Sequence, residues 1–129
     1  MEALHDPDNG IVCLRDFVQH DQLRVYYKAA DVHVSASDFE TLGNSCHEAL
    51  LCGTPVVLER AGGYLSQVDD GEQGFLVHWA DAAQARDAIE KGALMPSPLS
   101  KASHLNLART RLPQRPAHCV LHSVANGAC

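Results

Sequence analysis

The chain has 129 residues, of which 46% are hydrophobic and 20% charged, with a formal net charge of −6. That length holds one domain, with room for a core but little for an enzyme that must hold two substrates, and the composition is that of a soluble globular chain. The excess of acid argues against nonspecific nucleic-acid binding, which rests on cationic side chains.

The charge is divided unevenly. All 16 acidic residues lie at or before Glu90 with only five of the ten basic ones, so residues 1–90 carry −11 and residues 91–129 carry +5. From Gly92 onward there is no acid, four of the six prolines occur, and no period of 2 or 3.6 persists. Residues 92–129 therefore read as a disordered basic tail, with a composition that also fits a non-native end. Its four Lys or Arg beyond Gly92 are scattered, which makes contact with an anionic membrane a minor alternative. The five cysteines, Cys13, Cys46, Cys52, Cys119 and Cys129, form no C-x-x-C pair and read as reduced thiols. Met1 to Asp6 lack a basic and apolar leader, and no apolar run approaches the roughly 20 residues that span a bilayer. The expectation is an intracellular protein, cytoplasmic by default, with an organelle left open.

In chain order, residues 1–10 are a polar lead-in ending in Asp8-Asn9-Gly10. Ile11 to Leu14 is a short apolar run bounded by turn residues, which predicts a buried parallel strand. A helix follows, with Asp21 as its cap and Leu23, Tyr27 and Ala30 on one face. Val32 to Ser35 is the next strand. A helix from near Gly43 to Leu51 or Cys52 ends at Gly53, a left-handed C-cap, and at Pro55. Pro55 to Glu59 is a strand, Tyr64 to Val68 one helical turn, and Phe75 to Val77 a fourth strand after the turn residues 69–74. Asp81 caps a last helix through Glu90, with Ala85, Ala88 and Ile89 on one face. Alternating strands and helices predict an α/β fold, a parallel-sheet, Rossmann-like partial domain over residues 11–91. Right-handed crossovers put the ends of strands Val32–Ser35 and Pro55–Glu59 on one rim.

The chain is organised around the stretch from Asp38 to Val57, where Glu40 and Glu48 bracket a turn and a helix start between two strands. A helix N-terminus at the carboxyl end of a parallel sheet is where anions bind. Alone, the two glutamates read as solvated acids at a helix start, where the dipole favours them. A glycosidase acid and nucleophile is a poor fit, because one acid in a loop and one inside the helix serve opposite sides of a nucleotide better than one bond. His20, His33 and His78 show no ligand spacing with Cys or Asp, so no metal site is expected. Ser35, Ser37 and Ser45 have no readable His–Asp partners.

The ordered text is more specific than any pair within it. It runs Leu23-x3-Tyr27-x2-Ala30-Asp31-Val32, Ser35-x-Ser37, Glu40-x7-Glu48-Ala49 and Gly53-Thr54-Pro55-Val56-Val57, then Gly62-Gly63 and Asp70-Gly71-x2-Gly74-Phe75-Leu76-Val77. From about Ile11 to Glu90 the chain resembles the C-terminal, donor-binding half of retaining GT-B glycosyltransferases, the E-x7-E or group 1 family that includes sucrose synthase. The resemblance implies transfer of a sugar from a nucleoside-diphosphate sugar to an unknown acceptor, with retention and without a metal or other cofactor. It implies that Glu40, the catalytic candidate, bonds the donor sugar's hydroxyls and that Glu48 takes the ribose hydroxyls. Thr41, Leu42 and Gly43 would turn their N–H groups to the sugar and diphosphate, and Gly62 and Gly63 would line the same rim. Ser66 stands where the family usually has an acid, and Leu65 where it often has proline.

The family's acceptor-binding domain, and the upstream basic residues that grip the diphosphate, have no counterpart in this text. The expectation is that the isolated chain is inactive, a fragment or an interaction module keeping the fold. A further expectation is self-association through an unpaired sheet edge at Ile11 to Leu14.

Overall fold

A computed structural model describes residues 2–6, 10–14, 17–98 and 119–122. The elements run β1 (Glu2–Asp6), β2 (Gly10–Leu14), α1 (His20–Ala29), β3 (Val32–Ser35), α2 (Asn44–Leu51), β4 (Val56–Glu59), α3 (Tyr64–Gln67), β5 (Gly74–Val77), α4 (Ala82–Leu94) and β6 (Cys119–His122). A parallel sheet in the order β5-β4-β3-β6 forms the centre. In register, His33 stands opposite Val56 and Val34 opposite Val57.

The two-residue period of the strands splits the core into two layers. On one face, Val56, Leu58 and Leu76 pack with Tyr27 of α1, Cys46 and Ala49 of α2, Tyr64 of α3 and Val68. On the other, Val32, Val34, Val57 and Val77 pack with Ala85, Ala88 and Ala93 of α4. Every residue of β3 is buried, as expected of a strand covered on both faces. The α/β, Rossmann-like reading holds, and the carboxyl ends of β3 and β4 do share a rim.

Three local readings change. Ile11 to Leu14 does not join the parallel sheet: it lies in β2, which pairs antiparallel with β1, Glu2 opposite Leu14 and Asp6 opposite Gly10. The apolar run marked a strand correctly but could not name its partner, and the edge foreseen there is paired with β1 on one side. Asp21 is not the N-cap of α1. Gln19 is, without a side-chain cap, and Asp21 Oδ1 accepts instead from its neighbour Gln22 N at 3.0 Å. Last, α4 runs on to Leu94, because Gly92 and Ala93 are buried against the sheet. A β-carbon on Gly92 would meet Val32 and Val57 methyls at 3.1 Å, so the glycine lets α4 lie close on β3 and β4.

Within the stretch read as a tail, Gly92 to Leu94 are helix and Cys119–His122 is β6, parallel to β3. Most of the remainder, 99–118 and 123–129, lies outside the described residues. The Asp81 cap is as read: its Oδ1 accepts from Gln84 N at 3.0 Å.

Two motifs resolve into fold devices. Thr54 Oγ1 donates to the carbonyl of Tyr27, tying the start of β4 to the end of α1. Asp70 Oδ1 accepts from Leu76 N at 3.0 Å and Arg60 Nη2 donates to Leu76 O at 2.9 Å, while Asp70 and Arg60 pair with each other. These side chains occupy the outward groups of edge strand β5, which would otherwise invite another strand.

Candidate functional site

The site is built at the carboxyl rim of β3 and β4. β3 ends at Ser35, and the chain turns through Glu40 to Gly43 before α2 begins. Gly43 is the N-cap residue, with φ +46 in the left-handed region, and it has no side chain with which to cap the helix. A β-carbon there would lie 2.8 Å from Tyr64 Cε1 and 2.5 Å from Gln67 Oε1. Both the backbone conformation and the close floor beneath it demand glycine.

The glycine pair presses on the same turn from the other side. Gly63 N donates to Glu40 O at 2.7 Å. A β-carbon on Gly63 would sit 2.3 Å from Thr41 O, and one on Gly62 would sit 2.5 Å from Glu40 O. Gln67 Nε2 adds a bond of 2.6 Å to Leu42 O. The glycines read as rim residues therefore do reach the Glu40–Gly43 turn, and they do so by backbone contact.

Glu40 turns inward over the helix start: its Oε1 accepts from Gly43 N at 3.0 Å. Its charge is felt below, where burial first and Glu40 second push the Cys46 thiol up to about 12. Tyr64 is also raised, by burial first and partly through Glu40, while a hydrogen bond from Ser35 acts the other way. Tyr64 Oη lies 3.1 Å from Ser35 Oγ, fixing the turn's floor to the end of β3. The Gly43 N–H is thus taken by Glu40 and does not face outward. The N–H groups of Thr41 and Leu42 have no acceptor among the described residues, and nothing caps the first turn of α2. Such groups carry partial positive charge and suit an anion.

Glu48 lies on α2, about 6 Å along the axis from its start, and its carboxylate reaches toward His20 of α1. Its Oε1 is 3.6 Å from His20 Nδ1, and its side chain is 29% exposed. On the inner side, burial first and the Glu48 charge second raise the Tyr27 pKa. The two glutamates therefore engage different neighbours, Glu40 the Gly43 N–H before α2 and Glu48 the His20 ring of α1. His47 is exposed, and Cys46 and Cys52 are free thiols, one buried and one half-buried.

Sequence reasoning passed over Tyr27, Tyr64 and Gln67 as site neighbours. Tyr27 was legible as a face residue of α1, and a buried tyrosine needs a partner for its polar tip. Nothing in the text flagged Gln67. Beyond the turn, Trp79 Nε1 donates to Ser35 O at 3.0 Å, and Trp79 N and His78 both reach Glu59. These bonds knit the ends of β3, β4 and β5 into one rim.

A family model described as "Glycosyl transferases group 1" matches residues 9–103, most of the chain. The chain belongs to this family. Among curated relatives, the D-inositol 3-phosphate glycosyltransferase of Acidothermus cellulolyticus is 44% identical over 69 residues, 54% of this chain and 15% of the relative. That of Saccharomonospora viridis is 44% identical over 70 residues, 54% of this chain and 16% of the relative. D-inositol 3-phosphate glycosyltransferase 2 of Catenulispora acidiphila is 41% identical over 83 residues, 62% of this chain and 19% of the relative. The chain thus spans less than a fifth of the length of these relatives. No solved structure matches. No helix among the described residues is long and apolar enough to cross a membrane.

Proposed function

We propose that this group 1 glycosyltransferase chain is the donor-side segment of an enzyme that moves a sugar, with retention, from a nucleoside-diphosphate sugar to an acceptor. The observation that carries the reading is the turn at Glu40 to Gly43, where the Thr41 and Leu42 N–H groups have no acceptor among the described residues and Gly43 gives α2 no side-chain cap. In glycosyl transfer the leaving diphosphate gains negative charge in the transition state, and fixed N–H dipoles stabilise it most where that charge develops. Glu40 keeps Oε2 without a hydrogen bond among the described residues, available to a sugar hydroxyl. Glu48 accepts the two ribose hydroxyls, a geometry that suits a carboxylate and a vicinal diol.

A second reading is a module that binds the donor without transferring sugar. It is favoured by the placement of the described cations. Arg24 and Lys28 lie on α1, Arg86 and Lys91 pair within α4, and Arg60 is taken by Asp70 and Leu76 O. Among the described residues no lysine or arginine bonds the Glu40–Gly43 turn, and positioning two substrates takes several kcal/mol, about 7 or more when complete.

Calorimetric titration of uridine and guanosine diphosphate into the chain and into Glu48→Ala tests the first reading. Weaker binding by the variant is expected; equal affinities remove the ribose role. Transfer of labelled sugar by the isolated 129 residues separates the readings: no turnover is expected, and turnover above background excludes the second.

A further inference from the structure

We propose that Gln67 is a positioning residue for sugar recognition: its side-chain amide fixes the Leu42–Gly43 peptide, whose N–H in turn holds Glu40 and leaves Oε2 to the donor sugar. This inference rests on the sugar role of Glu40 proposed above.

One peptide unit is gripped at both ends. Gln67 Nε2 donates to Leu42 O at 2.6 Å, and the N–H of the same unit, on Gly43, donates to Glu40 Oε1 at 3.0 Å. The unit is trans and planar, so its C=O and N–H point in opposite directions and whatever fixes one fixes the other. It needs fixing because it leads into a glycine. Gly43 has φ +46, and glycine accepts either sign of φ, so the peptide before it can turn over at little steric cost. Turned over, it would set the Leu42 carbonyl against the Glu40 carboxylate, and two acceptors repel. The Gln67 amide bars that state. It sits at the end of α3, whose Tyr64 is fully buried and stands with Oη 3.1 Å from Ser35 Oγ at the end of β3. Its orientation is also settled: with oxygen and nitrogen exchanged, Gln67 would present an acceptor to the Leu42 carbonyl. Gln67 Oε1 is buried and has no hydrogen-bond partner among the described residues. A buried oxygen without a donor is destabilising, and an apolar side chain of the same length would avoid it. Fold stability alone therefore does not account for glutamine here, whereas a turn that must present Glu40 in one rotamer does.

The readout is the affinity for a sugar nucleotide relative to its parent diphosphate. It is the ratio of dissociation constants of uridine diphosphate and uridine diphosphate glucose, with guanosine diphosphate and guanosine diphosphate mannose run alongside. In the full chain Gln67→Met keeps the length and removes the donor. It is expected to lower the ratio about five-fold, and in a Glu40→Ala background it should change nothing further. Asp70→Ala, which removes a hydrogen bond at edge strand β5, should lower thermal stability and leave the ratio intact. A folded Gln67→Met protein with the wild-type ratio overturns the inference, while the sugar role of Glu40 stands if Glu40→Ala still lowers the ratio. If Glu40→Ala leaves the ratio unchanged, or neither sugar nucleotide binds, the sugar role fails and the inference with it. Should Gln67→Met not fold, the Gln67 side-chain ¹⁵N resonance of the wild-type protein serves instead. A sugar hydroxyl on Oε2 draws charge from Oε1 and, through the shared peptide, is felt at that amide. The resonance should shift further with the sugar nucleotide than with the diphosphate, and equal shifts overturn the inference.

Discussion

Two glycine-bearing stretches, Gly62-Gly63 and Asp70-Gly71-x2-Gly74, stand close together in the sequence and follow the same logic of close approach, yet they serve different ends. At the rim, Gly63 and Gly62 lean on the backbone of Glu40 and Thr41 and fix a turn whose other face is open. At the sheet edge, Gly74 lets β5 lie against Val56 O, and Asp70 with Arg60 occupies the outward groups of Leu76. The first stretch shapes the candidate site, and the second completes a sheet. A shared family text is therefore not uniformly about chemistry. What separates the two is whether the backbone groups left over have partners.

Substitutions at matched positions should pull these roles apart. The largest effect is expected from Gly74→Ala, whose β-carbon would lie 1.9 Å from Val56 O. Backbone cannot yield as a side-chain tip does, so the loss in urea unfolding should be about 4 kcal/mol. Gly63→Ala meets Thr41 O at 2.3 Å, but in a turn that can shift. It should cost about 2 kcal/mol of stability and weaken diphosphate binding at least about ten-fold, because the turn moves with it. If Gly63→Ala binds normally, the rim glycines are as purely structural as Gly74. Asp70→Ala should cost about 1 kcal/mol, chiefly through the unmet Leu76 N–H, and leave binding unchanged. The Arg60–Asp70 pair itself adds little, since both side chains are 39% exposed.

The smallest effect concerns pH. Burial raises Cys46 from 9.0 to about 12, so between these values the unfolded chain releases a proton that the folded chain keeps. Stability should therefore hold below pH 9 and fall as pH rises toward 12, with Tyr27 and Tyr64, also raised, adding to the decline above 10. Denaturant titrations at neutral and alkaline pH should show a shallower decline for Cys46→Ala.

Much of this fold was legible in the text because its signals are local. Alternation and punctuation placed β3, β4 and β5, Gly53 and Pro55 marked the end of α2, and Asp81 marked the start of α4. What failed was partnership. The apolar run Ile11 to Leu14 pairs with β1, although Asn9-Gly10 is itself a hairpin signal. β6 docks on β3 from far along the chain, and no local pattern announces so distant a neighbour. At the site, the text brought Glu40, Gly43, Gly62 and Gly63 to one rim. It missed that Glu40 spends an oxygen on Gly43 N, that Gln67 grips Leu42 O and that the Glu48 charge reaches the buried Tyr27. Those are contacts between elements, set by how α1, α2 and α3 pack on the sheet.

The central claim is that the turn at Glu40 to Gly43 and the carboxylate of Glu48 form a nucleotide-sugar site. Saturation-transfer NMR of the chain with nucleoside diphosphates and their sugars, repeated on Glu48→Ala, tests it most directly. The account predicts transfer to ribose and sugar protons in the wild type and loss of the ribose signal in the variant. Absence of signal from every ligand, or ribose transfer undiminished in Glu48→Ala, would contradict it.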